Sequence, residues 1–340
     1  MTSTPRVSVV VVTYNGLKYL APCLQSLRHQ SLPRDAYEVV VVDNASTDGS
    51  AEAIRANHPW VRLVAQVSNS GFAGGCNAGI RHSQGQYIAL LNNDAIASPN
   101  WLERLLAAGE EDHRIGGVAT KIRFDHDPTI LNSAGLVLSW NGYGEDRGFR
   151  APDRGQFDEA TEVFGGCGAG VLLNRDMLSD VGLFDESLFM YYEDLDLAWR
   201  ARLRGWRFVY EPAAEIRHVH CGSSGERSPF FCFHDERNRV LVNVKNNAAI
   251  AAIYVLAGFF IHAARTWRDV LMGKLGREHG RAYARAALSL AHRLPHAFAE
   301  RYRIRHVRRL VPDAAIQRLV RPRPNAVFSR SERAFGSHGA

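Results

Sequence analysis

Apolar residues run unbroken through "VSVVVVTYN" (7–15), "YEVVVVDNAS" (37–46), "VRLVAQ" (61–66) and "QYIALLNND" (86–94). None of the four alternates with polar residues, which predicts parallel strands covered on both faces. Helical patterns fall between and after them, at roughly 17–30, 48–57, 73–83 and 100–111. A βαβα repeat over the first hundred residues predicts an α/β fold with a mostly parallel, doubly wound central sheet and helices on both faces. The apolar runs stop at polar clusters: Thr13-Tyr14-Asn15, Asp43-Asn44, Asn69 and Asn92-Asn93-Asp94. Ligands of such sheets bind beyond the carboxyl ends of the strands, so these clusters predict one crevice.

Residues 115–235 predict mixed strands and loops, with glycine-rich points at "FGGCGAGVLLN" (164–174) and "HCGSSGE" (220–226). From 235 the chain turns helical. "AAIAAIYVLAGFFIHAA" (248–264) carries one histidine and no charge, and is short for a membrane span of about 20 residues. Arginines then recur among Ala, Leu and aromatics from 265 to 309, as in basic amphipathic helices that lie in a membrane interface. The expected division is a catalytic domain over 1–246, a basic membrane-associating helical extension over 247–321, and a flexible tail over 322–340.

Charge sharpens that division. Residues 261–340 hold 17 Lys and Arg against 5 Asp and Glu, a net of +12 out of a total of +6, so the body is acidic. An acidic body with a basic tail argues against a nucleic-acid partner and for an anionic surface met by the tail. The five cysteines form no CxxC pair, which predicts neither a disulfide framework nor a cysteine zinc site. With a short polar N-terminus in place of a signal peptide, a cytoplasmic location is expected, peripheral at the inner face of the membrane.

Candidate chemistry collects in the polar clusters. Asp94 at a strand end can hold a divalent cation against a diphosphate, although Asn and Asp also suit a plain turn. Asp43 can accept a hydrogen bond from a nucleobase, or cap a turn. "SNSGFAGGCNAGI" (68–80) offers glycines and a helix N-terminus to an anion, or forms a tight turn. His218 and His220, two apart, share one side of a strand, and one of them could ligate a metal. Five carboxylates crowd Asp185 to Asp196 among Phe189, Met190, Tyr191, Tyr192 and Trp199. Read alone, Glu193 and Asp194 are an acidic first helical turn. Asp196 with Arg200 is an i,i+4 pair of structural character.

Taken in order, "VVVTYN", "VVDNASTDGS", "NSGFAGGCNAGI", "LLNNDA", "GLFDESLFMYYEDLDLAWR", "HVHCGSSG" and "ERNR" resemble the glycosyltransferases of family two, over about residues 6–246. Within them the chain is most similar to bacterial rhamnosyltransferases of cell-envelope polysaccharide assembly. The resemblance implies a GT-A fold and inverting transfer from a nucleoside-diphosphate sugar with Mg²⁺ or Mn²⁺. It places Thr13, Tyr14, Asn15 and Asp43 on the nucleoside, and Asn69, Asn93 and the backbone at Gly71 and Gly75 towards the diphosphate. It makes Asp94 the metal ligand of a DxD-type motif that here reads Asn92-Asn93-Asp94, without its first carboxylate. It makes His218 the histidine that completes the site, with His220 in reserve, and sets Arg237 and Asn238 near phosphates. Asp194, beside Glu193, becomes the base that deprotonates the acceptor hydroxyl, kept ionised by the dipole of a helix running to about Arg204.

The implied partners are dTDP-rhamnose, a polyprenyl-diphosphate-linked saccharide and the membrane surface; a homo-oligomer stays open. Two other readings compete: the same fold with a UDP-hexose or UDP-galactofuranose donor, and a non-catalytic nucleotide-sugar-binding scaffold. A dehydrogenase is disfavoured, because "TYNGLKYL" follows the first strand instead of a GxGxxG turn.

Overall fold

The computed structural model describes residues 4–219 and 228–321, so His220, the second glycine-rich point and the expected tail at 322–340 lie outside the described residues. The first half follows the predicted repeat: β1 (Val7–Thr13), α1 (Leu17–Arg28), β2 (Tyr37–Asp43), α2 (Ser50–Asn57), β3 (Arg62–Ala65), α3 (Gly71–Arg81) and β4 (Tyr87–Leu91). Then come β5 (Ala95–Ala97), α4 (Trp101–Glu110), β6 (Ile115–Phe124), β7 (Leu131–Ser133), β8 (Leu136–Ser139), β9 (Gly144–Asp146), β10 (Thr161–Val163) and β11 (Gly170–Asn174). The rest is α5 (Arg175–Val181), α6 (Glu193–Leu203), β12 (Arg207–His218), α7 (Pro229–Asn246), α8 (Ala249–Leu271), α9 (Arg277–Tyr302), α10 (Asp313–Gln317) and β13 (Val320–Arg321).

The central sheet runs β10-β12-β6-β11-β4-β1-β2-β3. β3, β2, β1 and β4 are parallel, β11 runs against β4 and β6, and β12 is parallel to β6. The sheet is therefore mixed beyond its parallel half. Strand period decides which side chain goes where: Val7, Val9 and Val11 join the cluster under α1 and α4, while Val10 joins the one under α3, α6 and α7. Two apolar layers explain why β1 and β2 read as unbroken valines. β3 departs from that expectation. It is the edge strand, and of its four residues only Val64 is buried.

β1 lies between β2 and β4, where the strand order reverses, so the ends of these three strands open into one crevice. A second sheet, β13-β8-β9, carries a hairpin beside it. Val255, Phe259, Ala286, Leu290 and Ala297 of α8 and α9 join the large core cluster, so residues 247–321 share the core of the body. Arg301 and Arg305 donate to the carbonyls of Val244, Asn246 and Asn247 at the end of α7. On α8 only Ala252, Val255 and Phe259 are buried, and Ile250, Ile253, Tyr254, Phe260 and Ile261 stand exposed. Its 23 residues make it long and apolar enough to cross a membrane, by length and composition only.

Candidate active site

Asp43 ends β2 in the crevice. It is 4% exposed; its Oδ2 accepts from the Ser46 N–H at 3.3 Å and its Oδ1 has no hydrogen-bond partner. A buried carboxylate oxygen left without a donor is costly and calls for a ligand N–H or O–H. Tyr14, which follows the Thr13 paired with Asp43, is 45% exposed. The Thr13 hydroxyl is fully buried and accepts from Asn93 Nδ2 at 3.0 Å, joining the ends of β1 and β4. Asn15 Oδ1 accepts from the Thr47 N–H at 2.8 Å, which joins the loops after β1 and β2. Thr13, Asn15 and Asn93 therefore each give one polar atom to the crevice's frame.

Asn69 Oδ1 accepts from Asn44 Nδ2 and from the Gly71 N–H, both at 2.9 Å, and so fixes the entry to α3. Gly71 has φ +73, and a Cβ there would meet the Phe189 carbonyl at 2.3 Å. Gly75 is corrected. A Cβ on it would strike Val12 at 2.6 Å, so it faces β1, and as the fifth helical residue its N–H belongs to the helical ladder. The glycine there packs helix against sheet instead of lining a diphosphate.

Antiparallel pairing of β5 with β12 sets His218 opposite Ala95, which delivers the imidazole to Asp94. His218 Nε2 lies 3.1 Å from Asp94 Oδ1, and both side chains are nearly buried. Asn132 Oδ1 lies 2.8 Å from Nδ1, and Asn92 Nδ2 lies 3.1 Å from Nε2. The tautomer that satisfies both amides carries its proton on Nδ1, and its Nε2 lone pair accepts from Asn92 unless a cation beside Asp94 takes it instead. Two electron-rich atoms at that spacing suit a cation between them. Among the described residues no group of three or more His, Cys, Asp or Glu side chains is set to hold a metal. A carboxylate and an imidazole still fit a hard divalent cation whose other ligands are diphosphate oxygens and water.

α6 begins at Glu193, as expected. Asp194 Oδ2 accepts from the Gly168 N–H at 3.0 Å, and its Oδ1 accepts from the Leu195 N–H at 2.7 Å. Gly168 belongs to the first glycine-rich stretch, which thereby acquires a role. The helix dipole expected to keep the pair ionised is opposed by burial. Burial raises the Asp194 pKa against its two N–H donors, and burial with the Asp194 charge raises Glu193 well above the usual carboxylate range. Glu193 Oε2 is buried without a partner. Desolvation outweighs a dipole that is worth a fraction of a kilocalorie at the first turn.

Behind this pair the other carboxylates are satisfied. Asp196 meets Arg200 and Lys245 at 2.9 Å, Lys245 also meets Asp185 at 2.6 Å, and Asn246 donates to Asp196 at 2.8 Å. Burial alone would raise Asp196, but Lys245 and Arg200 hold it below its ordinary value. Asp185 accepts from the Ser187 N–H, and Glu186 accepts from Asn77 and Arg81. For Asp196 and Arg200 this is the structural role the sequence implied.

Arg237 and Asn238 are corrected in role. Both are buried, and they grip the loop before α6 instead of reaching a phosphate. Asn238 Nδ2 lies 2.8–2.9 Å from the carbonyls of Leu188, Met190 and Tyr191, and Arg237 Nη2 donates to Leu188 O at 2.8 Å. That loop needs holding. Phe189, Tyr191 and Tyr192 all have φ near +69, and Met190 N–H bonds Leu188 O at 2.8 Å across a γ-turn. Such conformations cost about 1–3 kcal/mol each and persist only where the surroundings impose them.

Sequence reasoning missed Asn132, which faces His218, and it missed Asp146. Asp146, at the end of β9, lies beside Ser133 and Cys167 and within the fields of both Asp194 and His218. Its Oδ1 is buried without a partner, and burial pushes its pKa up to about 6. It thus stands in the crevice with Asp194 and His218. No motif marks it, because a three-residue strand is too short to show a period.

A crevice at the reversal of a mostly parallel half-sheet, with an orphan carboxylate at one end and a carboxylate–imidazole pair at the other, defines a GT-A transferase. The glycosyl transferase family 2 model matches residues 8–182, and the chain belongs to that family and is a glycosyltransferase. The N-acetylglucosaminyl-diphospho-decaprenol L-rhamnosyltransferase of Mycobacterium tuberculosis is 30% identical over 240 residues, 64% of this chain and 77% of that protein. The structure of a mannosyltransferase from Pyrobaculum calidifontis with GDP-mannose and Mn²⁺ superposes with a TM-score of 0.52 at 21% identity, over 93% of this chain and 79% of that one. GalNAc-T7 with UDP, GalNAc and Mn²⁺ gives 0.56 at 19% identity, over 70% of this chain; this chain covers only 47% of that one.

Proposed function

We propose that this glycosyltransferase moves L-rhamnose from dTDP-rhamnose, with inversion, to a polyprenyl-diphosphate-linked saccharide at the inner face of the cell membrane. The observation that carries the reading is the orphan Asp43 carboxylate in one crevice with the Asp94–His218 pair and the Asp194 base. Likeness to a rhamnosyltransferase with a decaprenyl-diphosphate acceptor supports the donor and the acceptor class. In this reading Asp43 Oδ1 accepts the imide N–H of thymine and Tyr14 lies against the base. Asp94 and His218 would hold Mg²⁺ or Mn²⁺. A cation there supplies positive charge against the diphosphate as it leaves. Asp194 takes the proton of the acceptor hydroxyl while that oxygen bonds to the anomeric carbon and the carbon–oxygen bond to dTDP breaks. A raised pKa suits the step, since a stronger base removes an alcohol proton more readily. The exposed apolar side of α8 and the arginines that follow it suit an anionic bilayer surface.

Calorimetric titration tests the reading. dTDP-rhamnose, UDP-galactose, UDP-glucose, UDP-N-acetylglucosamine and GDP-mannose are compared with Mg²⁺ or Mn²⁺, with and without chelator. Metal-dependent binding of dTDP-rhamnose alone is expected. Preference for a UDP-sugar overturns the donor, and binding of no donor, with acceptor present or absent, overturns the transferase mechanism.

A further inference from the structure

The β8–β9 hairpin joins two regions that have no other evident reason to be adjacent. Its base holds Asp146, beside Asp194. At its tip, Trp140 is 48% exposed and pairs with the 50% exposed Tyr254 of α8, ring centroids 5.2 Å apart and planes tilted by 40°. The tip is fixed. Gly142 at φ +81 is seated on Val255 and Asn243, and Asn243 Nδ2 donates to Gly142 O at 2.8 Å. The Tyr143 hydroxyl donates to Glu236 at 3.0 Å, and Trp140 N–H bonds Arg321 O at 3.1 Å. From the turn to Asp146 is three strand residues, about 10 Å. Along α8, Ile250, Ile253 and Ile261 are exposed before and after Tyr254.

We propose that this hairpin is the acceptor arm: Trp140 and Tyr254 bind the first isoprenoid units of a polyprenyl diphosphate, and Asp146 Oδ1 receives a hydroxyl of the sugar it carries. Half-exposed Trp and Tyr favour the level of lipid headgroups, where one side of the ring is wet and the other apolar. The pair therefore marks the bilayer interface and places the crevice one strand-length above it. A polyprenyl chain is the occupant the surface favours, because the aromatic pair is continuous with an apolar helix and the hairpin leads from it to the base. The inference rests on the lipid-linked acceptor proposed above.

The test is co-flotation of the full chain with phosphatidylcholine vesicles, plain or doped with decaprenyl diphosphate. Doping is expected to tighten binding about tenfold. Trp140→Ala is expected to abolish that gain and Trp140→Phe to keep most of it. Both variants should still float with phosphatidylglycerol vesicles, through the arginines of α9, and should still titrate with donor, which shows that they fold. Retention of the gain in Trp140→Ala, or no gain in the unaltered chain, overturns the arm. The donor titration does not depend on the arm, so failure here and failure of the transferase reading are told apart.

Discussion

The front and the back of α6 hold carboxylates from one acidic stretch, yet the two sides meet opposite fates. At the back, Asp185 and Asp196 share Lys245, with Arg200 closing the group, and both lie below the ordinary carboxylate range. At the front, Glu193 and Asp194 have backbone N–H groups or nothing, and both lie above it. Burial acts on all four in the same direction. What separates them is whether a cation was buried alongside. A carboxylate sealed in with a cation is a rivet, and one sealed in without a cation holds its proton more tightly.

The sharpest way to break this contrast is at the front. Asp194→Asn is expected to lower kcat by a factor of about 10²–10⁴, the usual worth of a general base, while calorimetry finds donor binding unchanged. A variant that turns over normally would make the front as structural as the back. At the back, Lys245→Ala leaves two buried carboxylates facing each other. It should cost about 3–5 kcal/mol in urea unfolding, with no specific change in the chemistry of whatever remains folded.

Asn238→Ala loosens the loop between the two sides. A fall of about tenfold in kcat with unchanged donor affinity is expected, for the loss of about 1.4 kcal/mol of positioning. A change in donor affinity instead would return Asn238 to the phosphates. The smallest effect is a difference in pH windows. Asp194 has a raised pKa, so activity should fall as pH drops through a midpoint above its ordinary value of about 3.9. Asp185 and Asp196 have lowered values, so their stabilisation is full above about 3.9 and is lost only as pH falls below it. Between the windows the protein should be folded by circular dichroism and reversibly inactive. Coincident loss of fold and activity would erase the distinction.

The parallel half of the sheet was legible because buried parallel strands leave unbroken valines. The positions of Asp94 and Asp194 at element ends were legible because local motifs end or begin there. The partners of these residues were not. His218 reaches Asp94 through the β5–β12 register, which no local pattern encodes. Asn132, which orients His218, and Asp146 sit on three-residue strands. Arg237 and Asn238 carried the right address and the wrong task. A polar residue inside a helix looks the same in sequence whether it faces a ligand or three carbonyls. The dipole argument was incomplete for a related reason, since the depth at which Glu193 is buried is a property of packing and not of composition.

The loop from Leu188 to Tyr192 is gripped by its carbonyl oxygens. Carbonyls are common to every amino acid, so its path is indifferent to much of what its side chains are. Phe189 and Tyr191 can therefore be substituted without moving Asp194, provided the replacements tolerate the left-handed backbone and, at Phe189, the packing against Gly71 and His234.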